Sequence, residues 1–219
     1  MFITADTGSV EIHEVTPRTD QASLKRFQSF PTPLIGDAMG RMGLMDAGLA
    51  ALHSNARCVG PAFTVLTREG DNLAIHVALD YALPGDVLVI NALGGRTRAV
   101  FGDLLAEICL ARGIAGVIID GLSRDAAAIL ELGLPVWARG VSPAGPFKHG
   151  PGAVGIPVAC GSLVVRSGDI VVADGDGIAV VAAERSDVVA ARVEELDAAE
   201  GALRRKIQAS VPSKRPRFA

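Results

Sequence analysis

The stretch "FGDLLAEICLARGIAGVIIDGLSRDAAAIL", residues 101–130, decides the fold class. Its first part, "GDLLAEICLARG", has the apolar spacing of a helix, and "AGVIID" is a short apolar run typical of a buried strand. A second helix is predicted from "RDAAAILELG", and the flanking runs "DVLVINA" and "PVWARG" are predicted strands. This β-α-β-α-β order with short connections predicts parallel strands whose carboxyl ends face one edge of an α/β sheet.

Length and composition bound the architecture. The 219 residues are enough for one substantial core, so we predict a single domain. Hydrophobic residues make up 49% of the chain and mean hydropathy is +0.36, but no segment approaches the roughly 18 uninterrupted apolar residues of a membrane span. Aromatic residues are only 4%, which favours a core of small aliphatic side chains. Subunit interfaces are expected to cover some of the apolar surface.

The N-terminal sequence, the cysteines and the net charge argue against a secreted, a disulfide-stabilised and a nucleic-acid-binding protein. The N-terminal "MFITADTGSVEIHEV" has acidic residues where a secretory signal has a basic region, so we expect a cytoplasmic protein. Three distant cysteines without a C-x-x-C pair, Cys58, Cys109 and Cys160, are interpreted as buried small hydrophobes. A net charge of -3 indicates no nucleic-acid partner, and no membrane partner is expected. The basic tail "SKRPRFA" is short, and a functional patch there is the less favoured interpretation.

Outside the deciding stretch, the pattern is mixed. An amphipathic helix is predicted at 20–30, stopped by "PTP", and a second helix from Gly36-Asp37 through "AMGRMGLM". A strand is predicted at "CVGPAFTVLT", a helix at "DNLAIHVALDYALPGD", and strands with Asp-Gly turns in "IPVACGSLVVRSGDIVVADGDGIAVV". We therefore predict N-terminal helices at 20–50, an α/β core at 57–183 and a C-terminal helix at 186–209.

Charged residues stand at two corners of the deciding stretch. The turn Gly102, Asp103, Leu104, Leu105 begins a helix, where backbone N–H groups without intrahelical partners can bind an anion. Capping is the alternative explanation for Asp103, and also for Asp125 at the next helix. Arg124 is not explained by capping, because a cation opposes the helix macrodipole there. Something negative is therefore expected beside Arg124.

If the two corners are neighbours, they combine a carboxylate for Mg²⁺ or Mn²⁺, a guanidinium fork and a row of N–H donors. This set suits a small 2-keto acid, whose enolate Arg124 could neutralise.

Other candidates are weaker: His76 is interpreted as a satisfied buried histidine, and "DGDG" at 174–177 as a hairpin turn rather than a calcium loop. Arg96 and Arg98 could meet a distal carboxylate or form a solvated basic loop.

At these residues the chain resembles the 4-hydroxy-4-methyl-2-oxoglutarate and 4-carboxy-4-hydroxy-2-oxoadipate aldolases, in a superfamily with the regulator of ribonuclease E activity. The specific part is Gly102-Asp103-Leu104-Leu105 followed by Arg124-Asp125. The resemblance extends over roughly residues 30–205, through "DAMGRMGL", "GDN" with "HVA", "PGDVLVI", "FGDLLA", "RGIAGVIIDG", "RD", "PVWARG", "IPVACG" and "GDIVVADGDGIAVV".

The resemblance implies a swivelling β/β/α fold, with a central mixed sheet flanked by helices, assembled as a homotrimer or homohexamer. By matching position, Asp125 would hold the divalent metal, Arg124 would bind the pyruvyl carboxylate or enolate, and the amides of Gly102–Leu105 would complete the pyruvate pocket. Asp103 would orient a metal-bound water for proton transfer. An acid on the C-terminal helix of an adjacent subunit would share that task, either Glu200 or Glu195.

The implied activity is metal-dependent retro-aldol cleavage to pyruvate and a second keto acid, in aromatic-compound catabolism, with oxaloacetate decarboxylation as a second activity. Two departures concern the distal part of the substrate: the tail "ASVPSKRPRFA" and the loop "ALGGRTRAV" differ from the forms typical of the family. Two alternatives stay open, a non-catalytic regulator that binds ribonuclease E or a helicase, and an enzyme that is primarily an oxaloacetate decarboxylase.

Overall fold

A computed structural model describes residues 6–14, residue 19 and residues 21–210. The basic tail "SKRPRFA" lies outside the described residues. The strands are β1 (Val10–Ile12), β2 (Ala50–Ala51), β3 (Cys58–Thr67), β4 (Val87–Asn91), β5 (Ala99–Phe101), β6 (Gly116–Ser123), β7 (Val136–Val141), β8 (Gly152–Val154), β9 (Val158–Cys160), β10 (Leu163–Val165), β11 (Ile170–Asp174) and β12 (Gly177–Val181). The helices are α1 (Gln21–Phe27), α2 (Thr32–Ala38), α3 (Leu73–Tyr81), α4 (Asp103–Ala111), α5 (Ala126–Leu132) and α6 (Ser186–Ser210).

The centre of the molecule is a mixed sheet in the order β1-β8-β3-β4-β6-β7-β2. Strands β3, β4, β6 and β7 pair in parallel, and β5 also pairs in parallel with β6. The hairpin β11–β12 joins β3 in antiparallel pairing, and β9 with β10 forms a separate two-stranded sheet. The predicted α/β class with a central mixed sheet is confirmed, as is the parallel order around residues 101–130.

Alternating residues of the central strands face two different layers. On β4, Leu88 and Ile90 pack in a cluster with α3, α4 and α5, whereas Val87 and Val89 pack in a second cluster with residues of β9 to β12. The single tryptophan, Trp137, is fully buried in the second cluster, and its indole N–H donates to the carbonyl of Asp174. Because both faces of the strands are covered, the strand sequences are continuously apolar rather than alternating.

Helices α1, α2 and α6 form a third cluster against β11 and β12. Its side chains include Phe27, Ile35, Ile170 and Val193, all without solvent exposure. Only the first half of α6 takes part, since its buried residues end at Val193. In a single chain, most residues in the second half of α6 are exposed to solvent.

One predicted helix is misplaced. The chain is helical at Thr32–Ala38, not from Gly36 onward, because "PTP" begins this helix instead of only ending the previous one. Proline in the first turn, here Pro33, has a suitable φ and lacks an N–H that would have no intrahelical partner there. Residues 40 and 41 then turn the chain with positive φ angles of 69° and 66°, which ends the helix.

The three cysteines are buried and unpaired in disulfides, as predicted. The predicted "DGDG" hairpin turn is confirmed, because Asp174 pairs with Gly177 at the end of β11–β12. Within the described ranges, no helix is both long and apolar enough to cross a membrane.

A charge cluster ties the sheet to the loops on its surface. Arg139 on β7 donates from Nε and Nη2 to the buried Asp120 on β6, and its two terminal nitrogens lie 3.1 and 3.0 Å from the carboxylate of Asp46. Asp120 also accepts from the backbone N–H of Gly161 at 2.9 Å. Hydrogen bonds from Arg139 lower the pKa of Asp46 below its usual value. One guanidinium therefore fixes two loops against the sheet.

Arg139→Met should lower the free energy of unfolding by about 3 kcal/mol at pH 7, because it leaves the Asp120 carboxylate buried without its cation. The part of this stabilisation that comes from the Asp46–Arg139 hydrogen bonds is complete at pH values above the ordinary aspartate pKa of about 4. It is lost as the pH falls through the lowered pKa of Asp46 in the folded protein. Urea unfolding of both proteins from pH 7 to pH 3 measures this. Arg192→Met, which removes an exposed pair with Glu195, is the control and should cost under about 0.5 kcal/mol. Equal losses in the two variants would contradict the prediction.

Candidate functional site

A small pocket opens where β5 and β6 end. Helix α4 begins directly after β5, and the pair Arg124-Asp125 directly follows β6. The pocket encloses about 80 Å³, well below the roughly 300–1,000 Å³ of sites for drug-sized ligands, and so suits a small molecule. Its lining residues are Asn72, His76, Phe101, Gly102, Asp103, Leu104, Leu105, Arg124, Pro146 and Lys148.

The first wall of the pocket is the beginning of α4. Gly102 occupies the N-cap position in an extended conformation, so no side chain caps this helix from there. Asp103 is the first helical residue, and its Oδ1 accepts the backbone N–H of Leu104 at 2.7 Å. Part of the capping explanation for Asp103 is therefore correct, because it satisfies one N–H of the first turn. The helix N-terminus still presents its dipole to the pocket.

The second wall is Arg124, which follows β6; the adjacent Asp125 lies behind Arg124 and Gly102 and is not among the lining residues. Asp125 occupies the N-cap position of α5, but its side chain makes no capping hydrogen bond. Its Oδ2 instead lies 3.0 Å from Nε of Arg124. The backbone of Asp125 is left-handed, with φ 56° and ψ 37°, an uncommon conformation for a residue other than glycine. The capping explanation for Asp125 is thus wrong, and the negative group expected beside Arg124 is Asp125.

The two corners touch at Gly102. A methyl group in place of the Gly102 hydrogen would lie 2.6 Å from Oδ2 of Asp125 and 3.1 Å from Nε of Arg124. A side chain there would displace the carboxylate, because real Cβ contacts are not that short. Since φ of Gly102 is -156°, the position requires glycine for space and not for backbone conformation. The two corners that sequence spacing predicted as neighbours are therefore in direct contact.

The remaining wall was missed as a site by sequence reasoning. Asn72 and His76 lie one turn apart at the beginning of α3, and Pro146 and Lys148 come from the segment after β7. The only signal was the stretch "GDN" with "HVA", which contributed to the family resemblance without a role for its residues. Gly70 forms a turn just before Asn72, but a turn before a helix is ordinary and did not mark this wall as a site.

His76 differs from its expected role as a satisfied core residue. It is half-buried on the pocket wall, and no hydrogen bond joins its ring to the described residues. Burial, helped by the nearby Lys148 ammonium, lowers the pKa of His76 to about 4. The imidazole is therefore neutral at physiological pH.

Three hydrogen bonds and one cation–π contact fix the segment that carries Lys148. Phe147 donates its backbone N–H to Gly70 at 2.8 Å, and Asn72 donates to the carbonyl of Phe147 at 3.0 Å. Arg98 donates to the carbonyl of Gly145 at 2.9 Å and lies 4.4 Å above the ring of Phe147. Arg98 thus holds this segment in place and is not among the pocket-lining residues, and Arg96 is exposed.

The two candidate acids of the C-terminal helix lie elsewhere in a single chain. Glu200 is exposed and pairs with Arg204 on the same helix at 3.3 Å, and Glu195 pairs with Arg192 at 2.8 Å. Helix α6 packs on α1 and α2, and neither acid lines the pocket. Their expected role needs an adjacent subunit and stays a prediction.

The donor set restricts the kind of metal the pocket could hold. Within the described part of the chain, no three His, Cys, Asp or Glu side chains come together as a metal site. A closed zinc site with four protein ligands therefore does not fit. Asp125 with water and ligand oxygens fits Mg²⁺ or Mn²⁺, since such ions are commonly held by one or two carboxylates and keep several waters.

A larger cavity of about 320 Å³ lies beside Trp137 and the β11–β12 hairpin. Two of its three carboxylates are already engaged: Asp174 accepts from the hydroxyl and backbone N–H of Thr32, and Asp46 accepts from Arg139. The smaller pocket is the better candidate site, because a carboxylate, a guanidinium and an ammonium group line it together with the start of a helix.

Comparison with known proteins places the chain. A family model described as RraA-like, Aldolase/RraA, matches residues 32–180. A protein of Halalkalibacterium halodurans named "Putative 4-hydroxy-4-methyl-2-oxoglutarate aldolase" is 36% identical over 188 residues, which cover 86% of this chain and 90% of the relative.

Two crystal structures have the same fold. An uncharacterized protein from Pseudomonas syringae pv. tomato aligns with a TM-score of 0.79 and 26% identity, over 90% of this chain and 96% of that one. Streptomyces coelicolor RraAS2, described as an unusual member of the RNase ES inhibitor RraA protein family, aligns with a TM-score of 0.77 and 28% identity, over 86% of this chain and all of that one. The fold and the pocket thus define an α/β protein with a small polar site at the ends of its parallel strands. The chain belongs to the RraA-like family.

The neutral state of His76 can be tested by NMR. We expect its imidazole to titrate near pH 4. The contribution of the buried neutral ring to the free energy of unfolding is therefore complete above the ordinary histidine pKa of about 6.5, and it is lost as the pH falls toward 4. Lys148→Gln should raise this pKa by removing a nearby cation, although burial keeps it below the ordinary value. Proton shifts of the histidine rings, assigned with His76→Gln, provide the measurement. Titration of His76 near pH 6.5 in the unmodified protein would contradict the prediction.

Proposed function

We propose that this protein is a divalent-metal-dependent aldolase that cleaves 4-hydroxy-4-methyl-2-oxoglutarate or 4-carboxy-4-hydroxy-2-oxoadipate to pyruvate and a second keto acid, and that also decarboxylates oxaloacetate. The observation that carries the proposal is the contact at Gly102, where the Asp125 carboxylate and the Arg124 guanidinium adjoin the start of α4. The name of the Halalkalibacterium halodurans relative agrees with this activity.

Each group has a role that its position supports. Amides of the Gly102–Leu105 turn and the Arg124 guanidinium bind the pyruvyl carboxylate, because both supply donors to an anion. Asp125, whose side chain is not used for capping, would hold the Mg²⁺ or Mn²⁺ ion. When bound, that ion supplies Lewis-acid polarisation of the 2-keto oxygen. Arg124 keeps its charge throughout and neutralises the enolate as it develops.

The reaction needs one proton removed and one returned. The C4 hydroxyl loses its proton to a water oriented by Asp103, and the electron pair of the C3–C4 bond passes to C3 to form the pyruvate enolate and a keto acid. Protonation at C3 then gives pyruvate. Glu200 or Glu195 from an adjacent subunit assists the proton transfer, which makes a homotrimer or homohexamer the expected working state.

Similarity to RraAS2 raises a second candidate, a non-catalytic protein that inhibits a ribonuclease by contact. The two candidates differ in what they require of the pocket. A docking surface has no use for a carboxylate held out of its capping position beside a guanidinium. We therefore favour the enzyme.

The direct experiment measures pyruvate release from both hydroxy-keto acids and from oxaloacetate, with Mg²⁺ or Mn²⁺ and with EDTA. Metal-dependent release is expected from at least one hydroxy-keto acid, and Asp125→Ala should abolish it while the oligomer stays folded. Release from none of the three substrates would overturn the proposal. Undiminished release by Asp125→Ala would overturn the metal assignment alone.

Gly102→Ala is a sharper variant, because it changes no functional group. The added methyl meets Oδ2 of Asp125 at 2.6 Å and must displace it, so kcat/KM should fall by about tenfold or more, as small misplacements in active sites do. Gly175→Ala is the control, since its methyl meets nothing closer than 3.6 Å and lies in the β11–β12 turn, outside the pocket. Steady-state kinetics and circular dichroism of both variants provide the measurement. Full activity in Gly102→Ala would show that the approach of Asp125 to Gly102 does not matter.

A further inference from the structure

Asn72 stands at a helix start without capping it. It occupies the N-cap position of α3, and its backbone carbonyl accepts the N–H groups of Ile75 and His76 at 3.1 and 3.2 Å. Asparagine in this position normally uses its side-chain oxygen to accept a first-turn N–H. Here no such bond forms, and Oδ1 of the preceding Asp71 accepts the N–H of Leu73 at 2.9 Å. The Asn72 side chain is therefore not used by the helix.

The Asn72 oxygen has no partner in the described structure. The residue is only 4% exposed, and its Oδ1 is buried without a hydrogen bond to any described residue. An acceptor buried in this way is unfavourable, because it has lost its hydrogen bond to water without gaining another. Its backbone is tied to the carbonyl of Phe147, which limits how far the side chain can move away. Asn72 also lines the pocket, so a bound ligand can supply the missing donor once the side chain rotates to present its buried oxygen.

The chemistry of the ligand decides which of its atoms can donate to the Asn72 oxygen, and this step rests on the proposed function. At neutral pH the carboxylates and keto oxygen of a 4-hydroxy-2-keto acid only accept hydrogen bonds. The C4 hydroxyl is the one O–H donor of the molecule. With the pyruvyl end at the start of α4 and Arg124, the rest of the substrate extends toward the wall formed by Asn72, His76 and Lys148.

We propose that Oδ1 of Asn72 accepts a hydrogen bond from the C4 hydroxyl and determines the specificity of the pocket for hydroxylated 2-keto acids. The amide holds the hydroxyl in the bound substrate and does not take its proton; the O–H turns from Asn72 to the water oriented by Asp103 when the proton is transferred. Oxaloacetate lacks this hydroxyl, so its binding leaves the Asn72 oxygen unpaired. Sites built to bind a hydroxyl discriminate strongly against analogues without it for this reason.

The test compares two activities of one protein. For Asn72→Leu, kcat/KM for cleavage of 4-hydroxy-4-methyl-2-oxoglutarate should fall about tenfold to a hundredfold, the equivalent of one lost buried hydrogen bond. Decarboxylation of oxaloacetate should fall by no more than about threefold, because that substrate makes no bond to Asn72. Asn72→Asp, which keeps an acceptor, should retain more of the preference for the hydroxylated substrate than Asn72→Leu. Asn55→Leu makes the same change at an exposed asparagine outside the pocket and should alter neither activity.

The outcomes separate the two proposals. Equal losses of both activities in Asn72→Leu, or no loss of cleavage, would overturn the role of Asn72 and leave the aldolase intact. An unmodified protein that decarboxylates oxaloacetate but cleaves no hydroxy-keto acid would also overturn it, since there would be no hydroxyl to recognise. Release of pyruvate from no substrate would overturn both proposals. If Asn72→Leu does not fold, as judged by circular dichroism, Asn72→Ala gives the same comparison.

Discussion

Parallel pairing through β6 is the constraint on which the pocket depends. All eight residues of this strand are buried, and it pairs in parallel with β4, β5 and β7. Because β5 and β6 run in the same direction, the residues after them leave the sheet at the same edge, although 22 positions separate Gly102 from Arg124 in the chain. The register between Phe101 and Ser123 then sets the contact between Gly102 and Asp125. A slip by one residue would turn both corners away from each other.

The charges of the pocket are arranged so that none is neutralised completely. Arg124 and Asp125 form a pair whose side chains are 37% and 36% exposed, so solvent weakens their attraction and leaves both available to a ligand. This differs from the cluster at Arg139, where the guanidinium satisfies two carboxylates and Asp120 is buried. The first pair can exchange partners at little cost, whereas the second is structural. The Arg124–Asp125 pair and the Arg139 cluster thus have different roles because they differ in burial.

Sequence reasoning predicted the parts of the fold that have a strong local signal. The strand at Cys58–Thr67, three of the strands between residues 87 and 141 and both helices there follow from apolar period and from the glycines that end the helices. The short strand β5 was not predicted, because its sequence was interpreted as a loop. The helix at Thr32–Ala38 was misplaced because proline both ends and begins helices, and composition does not say which. Arg124 was identifiable because its charge opposes a helix dipole, a conflict that is visible in sequence. Asn72 was not, because an asparagine before a helix looks like an ordinary cap until its side chain is seen to make no capping bond.

Three features of the pocket oppose stability, and together they bear on the choice between enzyme and regulator. Asp125 is held in a left-handed conformation, which costs of the order of 1 kcal/mol or more for such a residue. The Asn72 oxygen is buried without a partner, and the His76 ring is half-buried and held neutral. Protein contact surfaces gain affinity from apolar anchors and complementary shape, and they gain nothing from these costs. Local strain and unpaired polar atoms instead cluster where a small ligand supplies the missing partners, which supports a binding pocket for a polar substrate at this edge of the sheet.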